Sequence, residues 1–159
     1  MLAYDFQSSV GYWIHCAWQA YNRAITEELQ PQGITFRQCQ VLCWLAERGA
    51  MSQIELAEEM SIEPATLVGV LDRMQRDGLI VREDDRQDRR RKIIRPQPKA
   101  EAVWKKIVAS AERARMRASQ GLTEEQLATL RELLGTVTVN LGAGCPTSTP
   151  TAEPGKRDG

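Results

Sequence analysis

Histidine occurs once in this 159-residue chain, as His15, and phenylalanine only twice. A catalytic site needs a nucleophile, a base and an orienting group within reach of one another. The adjacent His15 and Cys16 do not supply that, because neighbouring residues on a helix point in different directions. No phosphate loop, dinucleotide fingerprint or carboxylate pair is present, so the chain reads as a non-enzyme. Its four cysteines do not follow the spacing of a zinc module, and reduced thiols are the default for so cytosolic-looking a sequence. No metal or cofactor is expected. No apolar run is long enough to span a bilayer and no basic-then-apolar start suggests secretion, so the expected location is the cytoplasm, with no membrane partner. Net charge is also missing: 21 basic residues stand against 21 acidic ones, so global charge does not advertise a polyanionic partner.

What is present is concentrated between Ser52 and Arg95. Ser52 with Glu55 three residues on forms a capping box that starts a helix, with Ile54, Leu56, Ala57 and Met60 on its apolar side. Ser61-Ile62-Glu63 is a turn of the length that joins the helices of a helix-turn-helix, and Pro64 suits the first turn of the second helix. There Leu67, Val70, Leu71 and Met74 recur at core spacing, leaving Ala65, Thr66, Gly69, Arg73 and Arg76 outside. Gly78 is a left-handed stop. Leu79-Ile80-Val81 then forms a strand, with Ile93-Ile94 as its antiparallel partner. From Arg86 to Arg95 there are six basic residues against one acid, and from Arg73 to Arg95 nine against five. Most charge runs are solvated loops. Joined to a helix-turn-helix, this one reads as a wing whose cations meet phosphates and whose tip enters a minor groove. The expected class is a mainly α winged helix-turn-helix with a small β-wing, and the expected partner is double-stranded DNA.

The flanks are helical. Val10, Trp13, Ile14, Ala17, Tyr21, Ala24 and Ile25 trace a 3.6-residue stripe along a helix over 6–30, which Tyr12 and Trp18 widen. So apolar a face needs a partner. Pro31 and Gly33 end it, and Thr35 with Gln38 caps a largely buried helix carrying Phe36, Cys39, Val41, Leu42, Trp44 and Leu45. Ala50-Met51 is a link that can add a small strand to the wing sheet. After the wing, Pro96-Gln97-Pro98 opens a long helix with Pro98 in its first turn, lined by Val103, Ile107, Val108, Ala111, Ala114 and Arg115. Thr123 with Gln126 caps a last helix with Leu127, Leu130, Leu133, Leu134, Val137 and Leu141 on one face. The organisation expected is an N-terminal dimerisation helix over 6–34, a DNA-binding lobe over 35–96 (recognition helix about 64–77, wing about 79–95), dimerisation helices over 97–142, and a small, proline-rich, disordered tail over 143–159.

The ordered set Ser-Gln-x-Glu-Leu-Ala, Leu-Asp-Arg-Met-x-x-x-Gly-Leu-Ile and Asp-Arg-Arg-x-Lys resembles the multiple antibiotic resistance regulator (MarR) family of transcription factors. The resemblance runs from roughly Phe6 to Leu141 and is most specific from Ser52 to Ile94. It implies a homodimer joined through both chain ends. Its two recognition helices would enter successive major grooves of a pseudo-palindromic operator, with repression by occlusion as the commoner mode. Thr66 and Ala65 then approach base edges, while Arg73 and Arg76 hold phosphates or pair with surface acids. Gly69 stands where the family more often has an arginine, and Pro96-Gln97 replaces its usual Leu-Thr. In the wing, Asp88-Arg89-Arg90 matches the tip. Arg90 is the minor-groove residue, oriented by Asp88, and Arg86, Arg89, Arg91 and Lys92 are the remaining cations.

The resemblance further implies a small aromatic or phenolic effector between the dimerisation helices and the DNA-reading lobe. Tyr12, Trp13, His15, Trp18, Phe36 and Trp44 supply aromatic surface, with Arg23 or Arg37 for an anion; an ordinary aromatic core would use the same residues. A rival sensing mode lies in Cys39 and Cys43, which share one side of a helix, with Cys16 on the aromatic helix: thiol oxidation or a soft metal. A winged-helix protein adaptor that binds no DNA is the remaining alternative, and the basic wing argues against it.

Overall fold

The computed structural model describes residues 4–85 and 91–142. It falls into two compact units, divided after Ala118. In the first unit the helices are α1 (Val10–Leu29), α2 (Phe36–Arg48), α3 (Gln53–Glu59), α4 (Pro64–Arg76) and α5 (Ala100–Ala118). Three short strands, β1 (Met51–Ser52), β2 (Ile80–Asp84) and β3 (Lys92–Pro96), form one antiparallel sheet in the order β1-β3-β2. The fold is mainly helical with a small wing, as expected.

The local signals act where the sequence places them. Thr35 and Ser52 each close a capping box, with Gln38 and Glu55 respectively. Pro64 opens α4, where the missing N–H would have had no helical partner. Both helices of the helix-turn-helix then stop in the same way. The Ile62 amide reaches back to the Ala57 carbonyl at 3.0 Å, and the Leu79 amide to Met74 at 2.9 Å, each closing over one left-handed residue. After α4 that residue is Gly78 (φ 71°), whereas after α3 it is Ser61 (φ 50°), which carries a side chain in a region that disfavours one.

The core lies under α4. Leu56, Leu67, Leu71 and Met74 are fully buried with Leu29, Val41, Ile80, Ile94 and Ile107, so α1, α2, α3, α5 and the sheet all contribute to it. Phe36, Trp44 and Trp104 pack against its margin, half-buried. α1 and α5 are joined through the end of α1. The buried Ser110 hydroxyl donates to the Glu28 carbonyl at 3.1 Å, and Arg113 meets the Glu28 carboxylate at 2.6 Å. Arg117 reaches Glu27 at 3.3 Å and Glu28 at 3.5 Å.

Three boundaries and one burial pattern differ from expectation. α1 begins at Val10, because the Ser9 side chain caps the Tyr12 amide while Asp5 takes the amides of Gln7 and Ser8 in a turn ahead of it. The strands run longer than their apolar cores, since Asp84 opposite Lys92 and Glu83 diagonal to Arg95 extend the pairing by charge. Pro98 falls in the turn before α5 rather than in its first turn, its carbonyl accepting the Glu101 amide at 3.1 Å. In α1 only Ile25 and Leu29 are buried. Trp13 and Trp18 stay 58% and 57% exposed, so one chain does not cover the aromatic stripe.

The second unit holds α6 (Glu124–Asn140), started by the Thr123–Gln126 capping box. It buries none of its residues, and Leu130, Leu133, Leu134 and Leu141 are exposed.

Candidate nucleic-acid interface

α4 presents two faces. Leu67, Val70, Leu71 and Met74 are buried, and Ala65, Thr66, Gly69, Arg73 and Arg76 are exposed, together with Val68. The 3.6-residue period over a fully buried stripe leaves a polar, small-residue surface facing outward. The absent side chain at Gly69 is used by its neighbour: the Arg73 guanidinium lies 3.7 Å from where a Cβ on Gly69 would stand. A cation therefore folds over the middle of this face from one turn further along.

The wing is set against α4 by a residue the sequence reading missed. In β2 the two-residue alternation puts Arg82 on the same side as the buried Ile80. A charge at that inward position needs partners. Arg82 finds the Asp72 carboxylate at 2.6 Å and the Val68 carbonyl at 3.3 Å, both on α4. Its Nε is buried with no partner among the described residues. The cue was a basic residue in phase with Ile80, and an Asp on the outer side of the helix before it.

The stem of the wing carries cations already held by carboxylates. Arg91 reaches Glu55 at 3.0 Å and the Ser52 hydroxyl at 3.4 Å, tying the wing to the cap of α3. Lys92 pairs with Asp84, and Arg95 with Glu83 at 2.9 Å. The Ser52 amide and hydroxyl, then the Arg91 guanidinium, hold the Glu55 carboxyl below its ordinary range. Arg86, Asp88, Arg89 and Arg90, expected at the tip, lie outside the described residues, as do the expected tail and Cys145.

The aromatic residues proposed from sequence are dispersed. Tyr12 and Trp13 stack edge-on at 5.5 Å, and Phe6 joins Tyr12 at 5.7 Å, on the exposed outer part of α1. His15 is hydrogen-bonded to Gln19 at 3.1 Å. Trp44 lies under Arg48, whose guanidinium is 5.2 Å from the ring centre. Among the described residues no ring contact joins Trp18, Phe36 or Trp44 to the Tyr12 group. Two open clefts share Trp104 instead. One, of about 350 Å³, is apolar and lined by Leu42, Leu45, Pro96, Pro98, Ala100 and Trp104 among others. The other, of about 330 Å³, includes Tyr21, Cys43, Ile107 and Arg115. Arg37, one of the expected anion partners, donates to Gln40 at 2.8 Å.

Cys39 and Cys43 do come together, with sulfurs 3.9 Å apart. Cys16 stands on α1, where it raises the Tyr12 phenol above its ordinary value through a hydrogen bond. Among the described residues no group of three or more His, Cys, Asp or Glu side chains is placed to hold a metal, and no helix is long and apolar enough to cross a membrane.

A helix-turn-helix with an exposed second helix, flanked by a hairpin rooted in the same core, defines the winged-helix fold class. Comparison narrows the class. A sequence model of the MarR family matches residues 34–92. The transcriptional repressor MdtR of Bacillus subtilis is 25% identical over 114 residues, spanning 72% of this chain and 74% of that protein. Apo MarR from E. coli superposes with a TM-score of 0.74 at 26% identity, covering 81% of this chain and 96% of that one. BpsR of Bordetella bronchiseptica, whose DNA binding is regulated by 6-hydroxynicotinic acid, does so at 0.72 and 26%, covering 86% and 98%. The chain is thus similar to MarR-family transcriptional regulators, in sequence over the DNA-reading lobe and in fold over most of its length.

Proposed function

We propose that this protein is a homodimeric, sequence-specific DNA-binding repressor, released from a pseudo-palindromic operator by a small aromatic acid. The observation that carries the reading is the outer face of α4, exposed over a fully buried stripe and held to the wing through Arg82. Thr66 and Ala65 near its start meet base edges, and Arg73, lying over Gly69, supplies a guanidinium to the same groove. Arg76 holds phosphate. In the wing Arg90, oriented by Asp88, enters the minor groove, and Arg86, Arg89, Arg91 and Lys92 meet the backbone.

The uncovered aromatic stripe of α1 and the leucine face of α6 are the surfaces a second copy covers. Two-fold pairing sets the recognition helices about 34 Å apart, one DNA turn. Occlusion of promoter DNA then represses.

For the effector, we centre the site on Trp104 rather than on the dispersed aromatic set. The cleft of about 350 Å³ beneath Pro96 and Pro98 has room for a single ring, and it lies where β3 hands over to α5. A ligand there spreads the joint between wing and α5. BpsR, which answers to an aromatic acid, supports the chemical class.

The test is affinity for promoter duplexes across a salt series. With about four phosphates neutralised per subunit, log affinity falls with log salt at a slope near −7 for the dimer. Arg90→Ala costs about 1–3 kcal/mol of operator binding. A flat salt dependence, or a monomer that ignores duplex DNA, rejects the proposal. Titration with hydroxylated aryl acids should quench tryptophan emission and release operator together, and release without any change on Trp104→Phe would move the effector elsewhere.

A further inference from the structure

We propose that Cys43 and Cys39 form a reversible thiol switch: Cys43 is the hydroperoxide-reactive thiol, Cys39 resolves it, and the resulting cross-link deforms α2. Geometry separates the roles. The two sulfurs are 3.9 Å apart on adjacent turns of α2. Cys43 is exposed and lines the cleft of about 330 Å³ between α1, α2 and α5, where a small peroxide has access. Cys39 is buried in the core directly behind it. Either sulfur can donate in the shared hydrogen bond; with Cys39 as the donor it lowers the Cys43 thiol against burial and the nearby Glu47, while that bond and burial push Cys39 up. A thiolate is therefore favoured at the accessible sulfur and disfavoured at the hidden one.

The chemistry balances without a metal. The Cys43 thiolate attacks one peroxide oxygen, the O–O bond breaks, and the departing alkoxide takes a proton from water. Cys43 becomes a sulfenic acid and the hydroperoxide is reduced to an alcohol. Cys39 then attacks the Cys43 sulfur, the S–O bond breaks, and the leaving hydroxide departs as water with the Cys39 proton. Helical residues four apart hold their Cβ atoms about 5–6 Å apart, whereas a disulfide requires about 3.5–4.5 Å. Closing it draws one turn of α2 together by about 1–2 Å. α2 packs on α3, α4, α5 and β3, so the change reaches both the helix-turn-helix and the root of the wing. Cys16, occupied with Tyr12 on α1, is outside the pair.

The thiol chemistry stands alone, and its coupling to DNA rests on the function proposed above. The experiment exposes the reduced full-length protein to limiting cumene hydroperoxide, then maps cysteines by mass with and without dimedone, before and after reductant. The wild type should lose two hydrogens in a Cys39–Cys43 link that reductant reverses. Cys39→Ala should stop at a dimedone-trapped oxygen adduct on Cys43, and Cys43→Ser should leave Cys39 untouched. Early-time trapping in the wild type gives the order of reaction should either variant fold poorly. Oxidation that settles on Cys16 or Cys145 while the pair stays reduced, or adducts that appear first on Cys39, overturns the proposal. Operator affinity of the reduced form, measured in parallel, should fall about tenfold or more on oxidation. A reduced protein that binds no duplex removes the repressor reading and leaves the thiol chemistry standing. Cross-linked protein with unchanged affinity overturns the switch.

Discussion

Arg82 and Asp72 offer the sharpest energetic test of how the wing is held to the recognition helix. The Arg82 side chain is 20% exposed and its Asp72 partner 54%, with 2.6 Å between them. A hydrogen bond to a charged group contributes about 1.5–3 kcal/mol, whereas a wholly exposed pair contributes about 0.2–1 kcal/mol. With one partner largely covered and the other in water, an intermediate value applies. Truncation to Arg82→Ala also removes the bond to the Val68 carbonyl and the packing of the arginine stem. It should cost about 2 kcal/mol. Asp72→Ala leaves a largely covered guanidinium with one neutral partner and should cost about 1–2 kcal/mol. In the double mutant the losses should not add, with a coupling near 1 kcal/mol. The assay is urea unfolding at one fixed protein concentration, since any dimerisation shifts the midpoint, with the m-value checked for constancy. A coupling below about 0.3 kcal/mol would mean that the two groups are neighbours without being a clamp.

Two further perturbations probe the frame of the DNA-reading lobe. Ser61→Gly should stabilise by about 0.5–1 kcal/mol, because Ser61 sits at φ 50° where glycine has no side-chain penalty; an unchanged or lower urea midpoint would show that no strain is stored there. Glu55 and Glu28 both have carboxyls held below the ordinary value of 4.5, Glu55 first by Ser52 and Glu28 first by Arg113. Their contribution is fully present above that value and is lost as pH falls through the lowered folded ones. Glu55→Gln, which can still close the capping box but carries no charge, should therefore be less stable than wild type at pH 7 and converge on it as pH falls below about 4.5, flattening the acid loss.

What could be read from residues alone was what local chemistry decides. Three capping boxes, Pro64, Gly78 and the stripe Leu67-Val70-Leu71-Met74 act within a turn or two of chain, and each stands where periodicity and side-chain type put it. The contacts that escaped are long-range and polar. Arg82 meets Asp72 and Val68 across the α4–β2 junction, and Ser110 meets the Glu28 carbonyl across 82 positions. A serine in a charged helix carries no mark of burial, and a hydrophobic count of β2 and β3 stops where cross-strand ion pairs take over. Trp104 was passed over because it lies beside the apolar stripe of its own helix, and only the turn at Pro96 and Pro98 brings it over Leu42 and Leu45. The cysteine pair was half visible: spacing places Cys39 and Cys43 on one face, but which of them is accessible depends on α1 and α5.

The paired cations of the wing stem lead to a prediction with an unusual sign. Lys92 and Asp84 face each other in register at the loop end of the hairpin, and both are about half exposed. For Lys92 to meet a phosphate, it must leave a carboxylate that also repels the DNA. Asp84→Asn should therefore tighten operator binding, although it deletes an ion pair. An exposed charge interaction of about 0.5–1 kcal/mol per subunit, counted twice in a dimer, amounts to about 1–2 kcal/mol, or roughly 5- to 30-fold in affinity. Each lysine newly committed to phosphate steepens the log–log salt slope by about 0.9, so the dimer should gain nearly two in slope. Folding should lose no more than about 1 kcal/mol, because the pair is solvated on both sides. Adding Lys92→Ala to Asp84→Asn should cancel the gain, which separates a recruited lysine from a general reduction in negative charge. If Asp84→Asn binds operator no better and with the same salt slope, the stem of the wing does not lie against the backbone. The attraction must then come from Arg73, Arg76 and the arginines between Asp85 and Arg91.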